Sequence, residues 1–436
     1  EAYKTSGLMG LNESISLTNT SLQYIFVHDR VQQAAYQLIK EQERPDIHLK
    51  IGRLLLKDKP LVAHDVRIFD VLKHFNQSIS LIHKSSERLQ LAQYNLWAGQ
   101  KAKLASAYDV ANEHLSLGVQ LLKPYNWKKN YPLTFQLFKE FAVCRYLVGD
   151  FKTADKSFSE LLKHASGSLD KIEIYRLKIE MLSTLGNHTE ALQIGLNALR
   201  HFGMKIPKKP NLIHILLSIY KIKFQLRHTK IEHLKLPLMS DVKQIALVNL
   251  ITQLLNSAFI TNQQLFVILT CKNILLSLKY GYTESTSMSI PVYAFIIMHS
   301  LNWYDEAISF VALYNRLKQE YGASNFEGKN QFVLGSFIEP YQKSLNLCNN
   351  TVINAFKLCC EVGDLVYSNY SNILLIFHAL SAGKNLDEIK KNVKSALSFM
   401  SRMKISDFVN VAKFWDYLTQ CLERPGFTKI KQLSLF

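Results

Sequence analysis

Gly149-Asp150-Phe151-Lys152-Thr153-Ala154-Asp155-Lys156-Ser157-Phe158-Ser159-Glu160-Leu161-Leu162 is the stretch that decides the fold. Gly149 is placed to end one helix at its C-cap, and Asp150 follows as a polar N-cap for the next. Phe151, Ala154, Phe158 and Leu162 then fall on one helical face. The small Ala154 sits where a neighbouring helix can approach closely. The same spacing returns at Tyr108, Ala111, Leu115 and Leu122, and more weakly at His188, Ala191, Leu199 and Phe202. It returns again at Tyr304, Ala307, Val311 and Tyr314. Leu345, Cys348, Val352, Phe356 and Leu386, Ile389, Val393, Leu397 are later variants.

The stripes start at Tyr108, Phe151, His188, Tyr304, Leu345 and Leu386. All but one of the intervals between them are close to about 40 residues. The long interval, from His188 to Tyr304, fits three units of about 39 residues, so degenerate repeats are expected near residues 227 and 266. A period of roughly 34–45 residues with two helices per unit marks tetratricopeptide-like helical arrays. Gly186-Asn187 and Gly383-Lys384-Asn385 supply further helix-ending turns of the Gly149 kind. The regions ahead of the array are also helical in pattern. Glu41–Leu56 carries Ile47, Ile51, Leu54 and Leu55, and Ser86–Ala105 carries Leu89, Ala92 and Leu96.

Composition agrees with an all-α chain. Of 436 residues 48% are hydrophobic, with only 17 Gly and 10 Pro, enough to build a core but few turn formers. The six cysteines form no CxxC pair and sit mostly in apolar helical patterns, which reads as buried thiols in a reducing compartment. No basic stretch followed by an apolar core opens the chain, so no secretory signal is expected. Ile245–Phe259 and Leu265–Leu278 are too broken by polar residues to read as membrane spans.

The net charge of +17 is uneven. Arg200 to Lys243 holds ten Lys and Arg residues against only Glu232 and Asp241. Lys221, Lys223, Arg227 and Lys230 are the candidate basic binding patch. Such a patch is either a solvated face or a site for an acidic protein surface, anionic lipid or nucleic acid. The absence of an aromatic or Gly-rich RNA-binding platform and of a helix-turn-helix signature disfavours nucleic acid.

No catalytic motif survives inspection. His28-Asp29-Arg30 inverts the kinase catalytic-loop order, and Asp150 precedes Phe151-Lys152 where a kinase needs Phe-Gly. Gly322 and Gly328-Lys329-Asn330 mimic a phosphate loop, but the glycines are too far apart and Asn330 lacks the hydroxyl that binds magnesium. The histidines show no metal-ligand spacing. This segment is therefore expected not to be an enzyme, and no metal site is expected.

Near the start, Ser21–Val27 reads as a strand feeding a helix with Val31, Ala34, Ala35, Leu38 and Ile39 on one face. The stretch Tyr24–Leu122 resembles the ATPase-plus-repeat region of large bacterial signalling proteins. These join a serine/threonine kinase domain, a signal-transduction (STAND) ATPase and a tetratricopeptide-like array, often with a GAF and a histidine kinase module. The matching residues are Phe26–Tyr36, His48–Leu55, Ile68-Phe69-Asp70, Glu87–Ala92, Asn95-Leu96, Ala98–Lys103 and Ser106-Ala107-Tyr108. A looser likeness runs through Gly149-Asp150-Phe151, Leu275–Gly281 and Glu361–Leu365.

The resemblance implies that residues 1–40 end a winged-helix module, that 41–105 form a helical connector, and that 106–436 form a tetratricopeptide-like superhelix of about eight helix pairs. It implies ATP or ADP with magnesium in an upstream ATPase, with His28 facing the phosphates and Asp29 beside it. The alternative for His28 is a structural cap on the module's last helix. The expected function is regulatory: a protein, peptide or effector bound in the repeat groove gates an adjoining ATPase or kinase in the cytoplasm. The alternatives are a free-standing or secreted scaffold acting on host proteins and a nucleic-acid-binding solenoid.

Overall fold

The structure is a computed structural model that describes residues 9–11, 24–26, 29–57, 60–207, 209–403 and 406–423. Its contacts divide the chain into two units, Glu1–Ala165 and Ser166–Phe436. Both are built from antiparallel α-helix pairs.

The first unit opens with β1 (Met9–Leu11) and β2 (Tyr24–Phe26), an antiparallel ribbon in which Met9 pairs with Phe26 and Leu11 with Tyr24. Then come α1 (Asp29–Gln37), α2 (Arg44–Lys57) and α3 (Ile68–Asn76). Two pairs follow: α4 (Ser85–Leu104) with α5 (Tyr108–Leu121), and, after the single turn α6 (Asn126–Lys129), α7 (Tyr131–Leu147) with α8 (Phe151–His164).

The second unit begins with the pair α9 (Ser168–Thr184) and α10 (His188–His201). A single helix, α11 (Leu212–Leu226), follows. Next come α12 (Val242–Thr261) with α13 (Gln263–Tyr280), and α14 (Glu284–Leu301) with α15 (Tyr304–Tyr321). The helix α16 (Glu327–Val333) runs on as a π-turn over Leu334–Ile338 and pairs with α17 (Leu345–Glu361). The last pair is α18 (Leu365–Ser381) with α19 (Leu386–Met403), and α20 (Ser406–Glu423) packs on α19.

The repeat reading holds in the side chains. Ala111, Ala154, Ala191, Ala307 and Cys348, the small residues three positions into their helices, are all 0% exposed. The aromatic residues that start the stripes lie at its rim: Phe151 is 40% and Tyr304 42% exposed. Five of the seven turns joining first to second helices carry a left-handed residue, with φ of 86° at Gly149 and 78° at Gly186; the α12–α13 turn and the α16–α17 connection do not. Beyond each glycine an amide closes back on the helix, Asp150 to the Arg145 carbonyl and Asn187 to the Leu182 carbonyl, both at 2.8 Å. As expected, Asp150 caps α8, its carboxylate accepting from the Thr153 amide at 3.1 Å.

Four expectations change. The described residues hold seven complete helix pairs, where the period gives about eight. A second helix does start near 266, at Gln263, but the pair expected near 227 is replaced by α11 and an extended segment. In α2 the apolar face is shifted. His48, Leu49 and Gly52 are buried, whereas Leu54 is 65% and Leu55 41% exposed. The cause is Gly52, whose absent Cβ would lie 2.8 Å from the Phe75 ring, so α3 seats on that side. Leu38, expected on the apolar face of the first helix, lies beyond the end of α1 and is 86% exposed.

Among the described residues α12 alone is long and apolar enough to cross a membrane. In this fold it is a core helix, packed on α9, α10 and α13 with Leu247, Val248, Leu250, Ile251, Leu254 and Leu255 buried.

The sealed small residue is expected to matter more than its aromatic neighbour. Ala154→Leu forces extra volume into a closed seam and lowers stability by about 1–3 kcal/mol. Phe151→Ala, at the rim, costs under about 1 kcal/mol. Urea denaturation of the two variants checks the order, and equal losses would contradict the packing described.

Candidate functional site

A groove of about 530 Å³ lies within the second unit. Its walls come from the first helices of successive pairs: the end of α9, the middle of α12, the start of α14, the approach to α16 and the start of α18. Second helices contribute only the turn after α17. Their stripes are used up against their own partners, so the free faces of the first helices are what remains to line a groove.

The floor is apolar, with Leu255, Met288, Leu365 and Val366, and the walls carry Gln253, Asn256 and Asn325. A side-chain amide both donates and accepts, as a peptide bond does. Such a lining suits an extended backbone better than a small apolar ligand.

One cation is fixed at the edge. Lys329 Nζ is 2.8 Å from Asp364 Oδ2 and lies over the rings of Tyr367 (4.9 Å) and Phe326 (5.6 Å). Asp364 is itself held as the N-cap of α18, accepting from the Tyr367 amide at 3.1 Å. Close by, buried Glu327 anchors α16. Burial pushes its carboxyl up, but hydrogen bonds from Lys318, Tyr314 and Gln331 together hold it below the usual range. The lysine that sequence offered as a failed phosphate loop is therefore a groove residue. Gly322 ends α15 and Gly328 is packed against Cys359, with no room for a Cβ (2.6 Å from Sγ), so the two glycines do not form a phosphate cradle.

The other proposed site residues fall elsewhere. His28 and the side chain of Asp29 lie outside the described residues; Asp29 is the first residue of α1. Lys221 and Lys223 lie on α11, Arg227 caps its end and Lys230 follows the turn. None lines the groove. Lys223 leans onto the Trp303 ring at 3.8 Å and reaches Glu306 at 3.2 Å, while Arg227 stacks on Phe224 at 3.8 Å.

Four of the six cysteines are buried as the pattern suggests, Cys144, Cys271, Cys348 and Cys359, whereas Cys360 is exposed and Cys421 half-buried. Burial pushes Cys144 up to about 11 and Cys271 and Cys359 up to about 12, so none is a ready nucleophile. Among the described residues no group of three or more His, Cys, Asp and Glu could hold a metal ion.

Sequence spacing gave no sign of a histidine pair in the first unit. His48 Nδ1 and His74 Nδ1 are 2.8 Å apart, and the Tyr36 hydroxyl lies 3.0 Å from His48 Nε2. Burial lowers both histidines, assisted at His48 by Lys73 and at His74 by His48. An N–H···N bond needs at least one neutral ring, so double protonation breaks it.

No family model matches the sequence. The chain is similar to hybrid signal transduction histidine kinase G of Dictyostelium discoideum, 22% identical over 419 residues, which is 86% of this chain and 12% of that protein. Among solved structures it is similar to a signal transduction ATPase with numerous domains (STAND) protein with a tetratricopeptide repeat sensor from Pyrococcus horikoshii. That likeness has a TM-score of 0.40 at 15% identity and covers 92% of this chain and 52% of the other.

The paired histidines give a pH prediction. Unfolded, each titrates near 6.5; folded, each titrates lower, so the unfolded chain binds more protons as pH falls. Stability is full above about pH 6.5 and is lost below it. The melting temperature is expected to fall between pH 7.5 and 5.5, and the fall to shrink in His74→Gln. An unchanged pH dependence in that variant would show that the pair does not contribute.

Proposed function

We propose that this chain is the regulatory, partner-binding helical-repeat segment of a larger signalling protein. The observation that carries this reading is the convergence of five first helices on one groove with an apolar floor, amide walls and a pre-positioned lysine. The occupant is an extended peptide or protein segment, whose backbone the amides meet and whose acidic group competes with Asp364 for Lys329. Occupancy biases an adjoining ATPase or kinase by binding one of its states more tightly than the other.

The similarity over 86% of this chain to a 12% stretch of a hybrid histidine kinase supports a segment within a signalling protein over a free-standing scaffold. In this reading the ribbon β1–β2 and α1 close a winged-helix module, and the chain acts in the cytoplasm. ATP or ADP with magnesium would be bound by the adjoining domain. His28 and Asp29 form the contact point with it. The segment itself binds and transmits, and does no chemistry.

Peptides selected from a random display library against the 436-residue chain test the groove. Selected peptides are expected to weaken about tenfold or more on Lys329→Ala, consistent with loss of a charge-assisted contact, and on Phe326→Ala. Selection of peptides whose affinity neither substitution changes would place partner binding elsewhere and overturn the reading.

A further inference from the structure

The helix α11 has two apolar faces, and only one is covered. Ile219, Ile222 and Leu226 are buried on the side packed against α13. On the other side Leu212 (70% exposed), Ile213 (65%), Leu217 (55%), Tyr220 (54%) and Phe224 (67%) face solvent, with Leu216 between them. At about 100° per residue these side chains span an arc of roughly 140°; Lys223 falls near one edge of it, held on Trp303 and Glu306, and Tyr220 meets the Trp303 ring edge-on. Single exposed apolar residues are ordinary on a protein surface, but a contiguous ridge of six on one helix is not.

This ridge is not a stacking face left open by a missing repeat. α11 is the single helix inserted where the period breaks, and α12 passes it by to pack directly on α9 and α10. The following segment is tied down independently. The Tyr282 amide donates to the Pro237 carbonyl at 2.7 Å, the Met239 amide to the Tyr282 carbonyl at 2.9 Å, and the Tyr321 hydroxyl to the Leu236 carbonyl at 2.9 Å. The ridge is thus presented on a fixed base.

Its borders are basic. Lys221 flanks the arc and has no carboxylate partner among the described residues, and exposed Lys205, Lys209 and Lys230 lie on the connecting segments. The two acids of the region are already engaged. Glu232 accepts from the Ser309 hydroxyl at 2.9 Å, and Asp241 caps α12 through the Lys243 and Gln244 amides. A complementary surface is therefore anionic and must accept protruding leucines, isoleucine and aromatic rings.

We infer that α11 docks this protein on an anionic lipid bilayer. The apolar arc enters the boundary between headgroups and acyl chains, and the flanking lysines meet the headgroups. A ridge of this kind penetrates a fluid surface without needing a matching pocket, which is why lipid is favoured over an acidic protein helix.

Co-sedimentation of the full chain with vesicles tests this. Binding is expected to vesicles of phosphatidylcholine in which about a third of the lipid is phosphatidylserine, and to be absent with phosphatidylcholine alone. It is expected to weaken as salt rises. Leu217→Asp with Phe224→Asp is expected to lower binding at least about tenfold. Lys221→Glu with Lys230→Glu is expected to do the same through the headgroups. All four positions are exposed, so an unchanged circular dichroism melt shows that the variants are folded. No binding to the anionic vesicles at low salt, binding unaffected by either pair of substitutions, or a concentration-dependent dimer abolished by the apolar pair would each overturn the assignment.

Discussion

A small side chain held three residues into the second helix of a pair, a methyl in four of the seven described pairs and the Cys348 thiol in a fifth, is the constraint on which this structure depends. Ala111, Ala154, Ala191 and Ala307 have no exposed surface at all. Helix axes can approach to the short end of the usual range of about 8–10 Å only where the contact residues are small. Once that crossing is fixed, the rest follows. Leu115, Phe158 and Leu199 close the seam further along the same face, and the left-handed turn residue sets how soon the chain reverses. The first helices are left with a free face. That face cannot be buried within its own pair, so successive first helices in the second unit expose it together, and a groove results.

The break in the pattern shows how strongly the period is otherwise enforced. Between the second helix starting at His188 and the one starting at Gln263 the chain makes one extra helix. It then returns to regular spacing, with second helices starting at Tyr304, Leu345 and Leu386. The return is secured by backbone. Gly281, at φ 112°, sits where a Cβ would collide with the Pro237 carbonyl oxygen. Only a glycine permits the segment after α11 to lie against the turn before α14, and Arg316 then donates to the Glu232 carbonyl at 2.9 Å from α15. The insertion is thus built into the array.

How much of this was legible in sequence depends on the range of the interaction. The stripe through Phe151, Ala154 and Phe158 is local, and so are the Gly149 turn and the Asp150 cap; all three read correctly. The repeat at Gln263 was blurred because the small position there holds Phe266. Gly52 carries no hydropathy signal, yet it chooses which side of α2 is buried, and Leu54 and Leu55 misled because their period is as good as that of the true face. Lys329 and Asp364, or His48 and His74, meet only when distant helices are placed. Their spacing in the chain carries no information about the contact. His28 lies outside the described residues, so the structure adds nothing to its reading.

The second apolar face of α11 is no more legible in sequence, for the same reason. Leu212, Leu216 and Phe224 repeat with helical period as faithfully as Ile219 and Ile222 do, and a pattern of hydrophobicity cannot distinguish a buried face from an uncovered one. The fold makes the distinction, because a helix packed on one neighbour can bury only one arc. The groove and the ridge then differ in physics. The groove is lined by amides whose hydrogen bonds are directional, so it discriminates among occupants by geometry. The ridge relies on area and on charge, neither of which is directional, so it recognises a kind of surface and not a particular molecule. If the groove takes a partner and the ridge a bilayer, as proposed, the two choices are made at separate places, because the groove residues and the ridge residues are different sets on different helices.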